Sequence, residues 1–265
     1  MSDLANRGDK RGHHEKAPPF FILGSVRSGT TMLRDVIASH PRLFCPNETH
    51  FFRFADPYGT MTYVRPLINQ KLFQEHRRLD TISDDYFRDQ ILVKSHTRRE
   101  LMENYAAAYL NAQGAPKDAR WFDKTPQNVF GALLLAAEFP ESRFVHIVRH
   151  PLNVVSSLRT SKVMVIKEVV GAANYWYEST LIMKSMRDVV GDRLLEITYD
   201  QFTQNPEKEL GRVMAFLGED SRQVTYDLTK IKPEKNKYKT VLPAEDIEIA
   251  WGIFGDLAEE YGFHR

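Results

Sequence analysis

The chain has 265 residues, with 36 Lys and Arg against 35 Asp and Glu and a formal net charge of +1. That balance argues against a dedicated nucleic-acid binder, and a chain of this size buries about three quarters of its unfolded surface, so it needs no disulfide staple. The one cysteine, Cys45, can form no internal disulfide, no Cys/His set has zinc spacing, and no apolar run reaches the roughly 18 residues of a membrane span; a soluble, cytoplasmic protein is expected.

Residues 1–17 are polar and carry Arg7, Lys10, Arg11, His13, His14 and Lys16. They read as a disordered basic tail without the apolar stretch of a signal peptide, and 18–265 reads as one domain. Phe20 to Leu23 is a short apolar run of the kind that forms a buried strand. It stops at Gly24, and Met32, Leu33, Val36 and Ile37 then follow at helical spacing. A strand, a Gly-bounded loop and a helix in that order present free backbone N–H groups and a positive dipole end to an anion, which makes a phosphate cradle.

The cradle reads Gly24-x-x-x-x-Gly29-Thr30-Thr31. Nucleotide triphosphatases place a Lys where Thr30 stands, to reach the β- and γ-phosphates. Here the cation lies inside the loop, as Arg27, which points to a ligand with an anionic 5′ group, no γ-phosphate and no metal.

Leu43 to Phe54 reads as an extended segment in which alternation puts Glu48 and His50 on one side. Residues 55–90 show no regular pattern and fit a segment covering a substrate. Ile91 to Lys94 reads as a short strand, and Leu101, Tyr105, Ala108 and Tyr109 follow as a helix. Trp121 to Asp123 is a strand leading to Lys124, Thr125 and Pro126. Next come a helix with Val129, Leu133, Ala136 and Ala137 on one face, the strand Arg143 to Val148, and a helix begun by Val154, Val155 and Leu158. Alternating strands and helices predict an α/β fold, a doubly wound parallel sheet of P-loop type with helices on both faces. Ligands of such sheets bind beyond the carboxyl ends of the strands, where Lys124 and Arg149 stand. A long helix around Trp176, the strand Leu194 to Thr198, a lysine-rich loop from Lys230 to Lys239 and a last helix with Ile247, Ala250, Trp251, Phe254 and Leu257 on one face complete the chain.

The cradle GSVRSGTT, the lysine of DKTP and the block FVHIVRHPLNVVSSL resemble the sulfotransferases that use 3′-phosphoadenosine 5′-phosphosulfate. The resemblance spans roughly 19–260. It implies that Arg27, Ser28, Gly29, Thr30 and Thr31 hold the 5′-phosphosulfate, and that Arg149, with Ser157 eight residues on, holds the 3′-phosphate. It gives Tyr199 a place against adenine or the loop beside it, and Lys237 a place near the 3′-phosphate, although the family's glycine-rich closing loop is absent. Arg27 and Lys124 are then the cations that meet the charge developed in transfer.

The family's lysine, hydroxyl residue, histidine triplet has two candidates, Lys94-Ser95-His96 and Lys124-Thr125-Pro126. The second lies one helix before the VRHP strand, where the family's lysine belongs, but it lacks the histidine. ETHFF resembles the E-P-H-F-F of heparan sulfate 3-O-type enzymes, whose Glu is the base. Glu48 is therefore the expected base, His50 the residue that binds or polarises the acceptor, and His96 the fallback. A P-loop kinase and a non-catalytic nucleotide-binding module are the rival classes. The acceptor, be it a small molecule, a lipid or a carbohydrate, and the oligomeric state are not legible in the sequence.

Overall fold

The computed structural model describes residues 17–162 and 164–265, so the tail expected over 1–17 lies, except for Ala17, outside the described residues. Strands β1 (Phe20–Leu23), β2 (Leu43–Phe44), β3 (Arg120–Lys124), β4 (Arg143–Val148) and β5 (Leu194–Thr198) form one parallel sheet in the order β2-β3-β1-β4-β5. Parallel pairing requires a crossover between successive strands, and helices supply most of those connections. They are α1 (Thr30–Ala38), α2 (Met61–Asn69), α3 (Lys71–Leu79), α4 (Asp84–Tyr86), α5 (Arg98–Ala112), α6 (Ala132–Glu138), α7 (Pro151–Thr160), α8 (Val169–Val190), α9 (Tyr199–Gln204), α10 (Pro206–Leu217), α11 (Tyr238–Val241) and α12 (Ala244–Glu260). No helix of the described residues is long and apolar enough to cross a membrane.

β1 is central, and all four of its residues are fully buried. Phe21 and Leu23 enter the core on one face of the sheet with Phe144 and Leu135, while Phe20 and Ile22 enter the core on the other face with Phe122, Val145 and Ile197. A strand covered on both faces is apolar at every position rather than alternately, which is why FFIL stands out in the sequence. A third cluster joins α7, α8 and α12 around the buried Trp176, with Ala250, Phe254 and Leu257 from the last helix as its apolar face implied.

Three local expectations are corrected. Ile91 to Lys94 is not a strand: 87–92 is a π-helical turn whose Phe87 and Ile91 are buried on one side. The run's β-branched and leucine residues satisfy either structure, and packing against Tyr105 of α5 selects the helix. Leu43 to Phe54 is extended only at Leu43 and Phe44, after which it becomes a loop in which His50 takes a left-handed φ of 59°. In α6 the buried side is Ala132, Leu135 and Ala136, while Leu133 and Ala137 face outward. A 3₁₀ segment, Pro126–Gly131, precedes α6 and rotates it relative to a continuous helix. The patternless 55–90 stretch holds α2, α3 and α4, capped at Thr60 and Ser83 by hydroxyls that accept from the Tyr63 and Tyr86 N–H groups.

Candidate active site

All five strands point their carboxyl ends to one edge. β1 runs into the cradle, β2 toward Glu48, β3 ends at Lys124, β4 at Arg149 and β5 at Tyr199.

In the cradle, the Ser28 N–H and hydroxyl both donate to the Ser25 carbonyl, at 3.2 and 2.6 Å, and Leu33 N–H donates to the Gly29 carbonyl at 3.1 Å. The N–H groups of Thr30, Thr31 and Met32 thus lie in the first turn of α1, where helix geometry offers them no intrahelical acceptor. Gly29 has a φ of 97°, and a Cβ placed on it would come within 2.4 Å of the Tyr199 ring. Tyr199 is therefore a wedge against the cradle, and the Arg149 guanidinium lies over its ring, 4.6 Å from the centroid. We expect Gly29→Ala to destabilise the protein by about 2–4 kcal/mol, combining a disfavoured φ with overpacking. That corresponds to a melting temperature lower by several degrees for a chain of this size. Tyr199→Ala in the same background should recover part of the loss, and thermal melts without recovery would show that the ring is not the obstacle.

Glu48 and Lys124 meet in an ion pair, and the Lys124 Nζ also lies 3.3 Å from the Thr31 hydroxyl at the start of α1. The Lys124 side chain is 4 % exposed and that of Glu48 28 %, so the carboxylate is the member open to a reactant. The loop carrying Glu48 is held along its whole length. Asn47 N–H donates to Asp80, Thr49 N–H to the Thr125 hydroxyl and Phe52 N–H to Asn128 Oδ1, while Arg98 donates to the carbonyls of Phe51 and Phe54. His76 Nδ1 sits 2.8 Å from the Glu48 carbonyl. At Gly131 any Cβ would stand 2.0 Å from the Phe52 carbonyl, so only glycine lets the 3₁₀ segment approach this loop so closely. Beneath it Asp123 is fully buried; burial pushes its carboxyl up to about 6 despite hydrogen bonds from Thr49, Thr125 and Asn128.

His50 is brought to Glu48, with Nε2 3.7 Å from the carboxylate, but it is fully buried against Phe73 at 4.6 Å between ring centroids. Burial, with the charges of Arg53, His76 and Lys124, pushes its pKa down to about 3, so the ring is neutral at ordinary pH. In this arrangement the ring is closed to solvent and faces the Glu48 carboxylate, so direct binding of an acceptor is not open to it, whereas the expected polarising role would act through Glu48.

On the other flank, Arg27, at a left-handed φ of 68°, donates from Nε to the Ser157 hydroxyl at 2.9 Å across 130 residues of sequence. Arg149 Nη1 donates to the Arg27 carbonyl at 2.9 Å. The structure so brings Arg27, Arg149, Ser157 and Tyr199 together around the cradle loop. Lys237 is exposed at the start of α11, with its neighbour Asn236 bonded to Asn153 of α7. Lys94 and His96 are exposed, and the His96 N–H donates to Glu100 in the capping turn of α5. That triplet thus leads into the N-cap of α5, Thr97. Asn128, Arg98 and Asp80, which hold the Glu48 loop, went unmarked in the sequence; only the spacing of Asp123, Thr125 and Asn128 along one segment hints at them. No group of three or more His, Cys, Asp or Glu among the described residues is arranged to hold a metal ion.

The strand order and a Gly-bounded anion cradle after the central strand define an α/β protein of the P-loop type. The chain belongs to the sulfotransferase family, whose model matches residues 18–223. It is 27% identical over 212 residues to protein-tyrosine sulfotransferase 2 of Gallus gallus, covering 78% of this chain and 52% of that protein. With protein-tyrosine sulfotransferase A of Caenorhabditis elegans it shares 24% identity over 78% of this chain and 51% of the other. The chain thus spans about half the length of these curated relatives. Its fold matches the sulfotransferase domain from the Synechococcus PCC 7002 olefin synthase with a TM-score of 0.67 at 21% identity, covering 97% of this chain and 98% of that one.

Proposed function

We propose that this chain moves the sulfuryl group of 3′-phosphoadenosine 5′-phosphosulfate to a hydroxyl or amine of an acceptor, with Glu48 as general base. The observation that carries the reading is the contact of Lys124 with both Glu48 and Thr31, which joins a base to a phosphate cradle through one cation. The residues present fit the nucleotide: first-turn N–H groups and Arg27 suit its 5′ end, and an Arg fork with a serine hydroxyl suits a 3′-phosphate. When bound, the nucleotide would supply an activated sulfuryl group, whose S–O bond to the 5′-phosphate breaks as the bond to the acceptor forms, with adenosine 3′,5′-bisphosphate as the leaving group. Glu48 takes the acceptor's proton, and Lys124 and Arg27 place fixed positive charge beside the cradle, where positioning and electrostatics govern such transfers.

Adenosine 3′,5′-bisphosphate, without metal, should raise the melting temperature by several degrees at a hundred times Kd, where a native-state ligand adds about 2.7 kcal/mol. Mg-ATP should do much less. A larger shift with Mg-ATP would move the assignment to a P-loop kinase.

A further inference from the structure

The two groups proposed for the 3′-phosphate are both engaged by other side chains of the protein. Ser157 accepts from Arg27, and Arg149 Nε lies 2.5 Å from Glu234 Oε2. Glu234 belongs to the lysine-rich segment between residues 230 and 238, yet its side chain is only 8 % exposed, against 19 % for Arg149. Its other oxygen accepts the Lys235 N–H at 2.8 Å, and the segment is tied to α7 through Asn236 and Asn153 at 2.9 Å. Burial alone would push the Glu234 carboxyl up, but the hydrogen bond and charge of Arg149 hold it below its ordinary value, so it is an anion at neutral pH. Asp200 beside it is half-buried, with Oδ1 free of any hydrogen-bond partner; burial and the charge of Glu234 raise its carboxyl.

A 3′-phosphate that takes a bidentate grip on the Arg149 edge containing Nε competes with the Glu234 carboxylate for that donor, and the two anions repel at that distance. Resting on the nucleotide reading above, we infer that Glu234 is a specificity-determining residue: its carboxylate holds Arg149 as a resident anion that a nucleotide must displace with a 3′ anion of its own. A nucleotide without a 3′-phosphate leaves the pair intact and gains nothing from Arg149.

The test is calorimetric titration of the full chain with adenosine 3′,5′-bisphosphate and with adenosine 5′-monophosphate. Glu234→Gln, which keeps the shape and removes the charge, should bind the bisphosphate about tenfold more tightly, roughly 1.4 kcal/mol, and the monophosphate within twofold of wild type. Glu234→Asp, charged but a methylene shorter, should fall between. In an Arg149→Ala background the Glu234→Gln change should have no effect, since the pair no longer exists. Unchanged or weaker bisphosphate binding by Glu234→Gln overturns the inference, as does equal tightening of both nucleotides, which would mark a general charge effect. A wild-type chain that fails to bind the bisphosphate refutes the nucleotide reading itself, and this inference with it.

Discussion

Glu48→Gln should lower turnover by about 10²- to 10⁴-fold, the range a positioned base contributes, while affinity for adenosine 3′,5′-bisphosphate holds. The substitution keeps the side chain's size and its capacity to accept from Lys124, but removes its ability to take a proton. Folding should survive, because the Glu48 loop is also fastened through backbone groups of Asn47, Thr49, Phe51 and Phe52, none of which the substitution touches. His96→Ala should leave turnover nearly unchanged, since that residue lies exposed in the cap of α5. A Glu48→Gln enzyme with wild-type turnover, beside a folded His96→Ala enzyme that has lost it, would refute the assignment.

Lys124→Met should lower turnover by about 10²- to 10³-fold, as loss of one preorganised charge at a reacting centre typically does. Lys124 is almost fully buried, so its removal also leaves the partly exposed Glu48 carboxylate without its counter-charge. On the proposed mechanism the two residues act as a unit, so the double variant Glu48→Gln/Lys124→Met should be little worse than the poorer single one. Strict additivity of the two losses in steady-state kinetics would mean that the pair does not work together.

Much of the framework was legible because it is written in contiguous segments. FFILGSVRSGTT carries strand, cradle and helix start within one stretch, and DKTP and VRHP each end a strand with their cation. What was not legible depends on partners far away in the chain. His50 looks like a surface ligand in ETHFF, and only the packing of Phe73 and His76 shows it to be buried. The run 91–94 has strand composition, and the neighbouring α5 makes it helical. Glu234 sits among lysines, and nothing in its own segment says that it pairs with an arginine 85 residues earlier.

The Tyr199 wedge bears on how the protein is made. Because the ring that fills the space over Gly29 belongs to the residue just after the last strand, the cradle lacks that packing while the chain is still emerging short of β5. A ribosome-bound fragment ending at α8 contains every cradle residue, Lys124, Arg149 and Ser157, yet lacks the ring that packs on Gly29 and Arg149. Domains assemble as synthesis proceeds, and contacts of high sequence separation close last. The packing of the cradle is in that sense completed late in biosynthesis, once the chain beyond the final strand has docked.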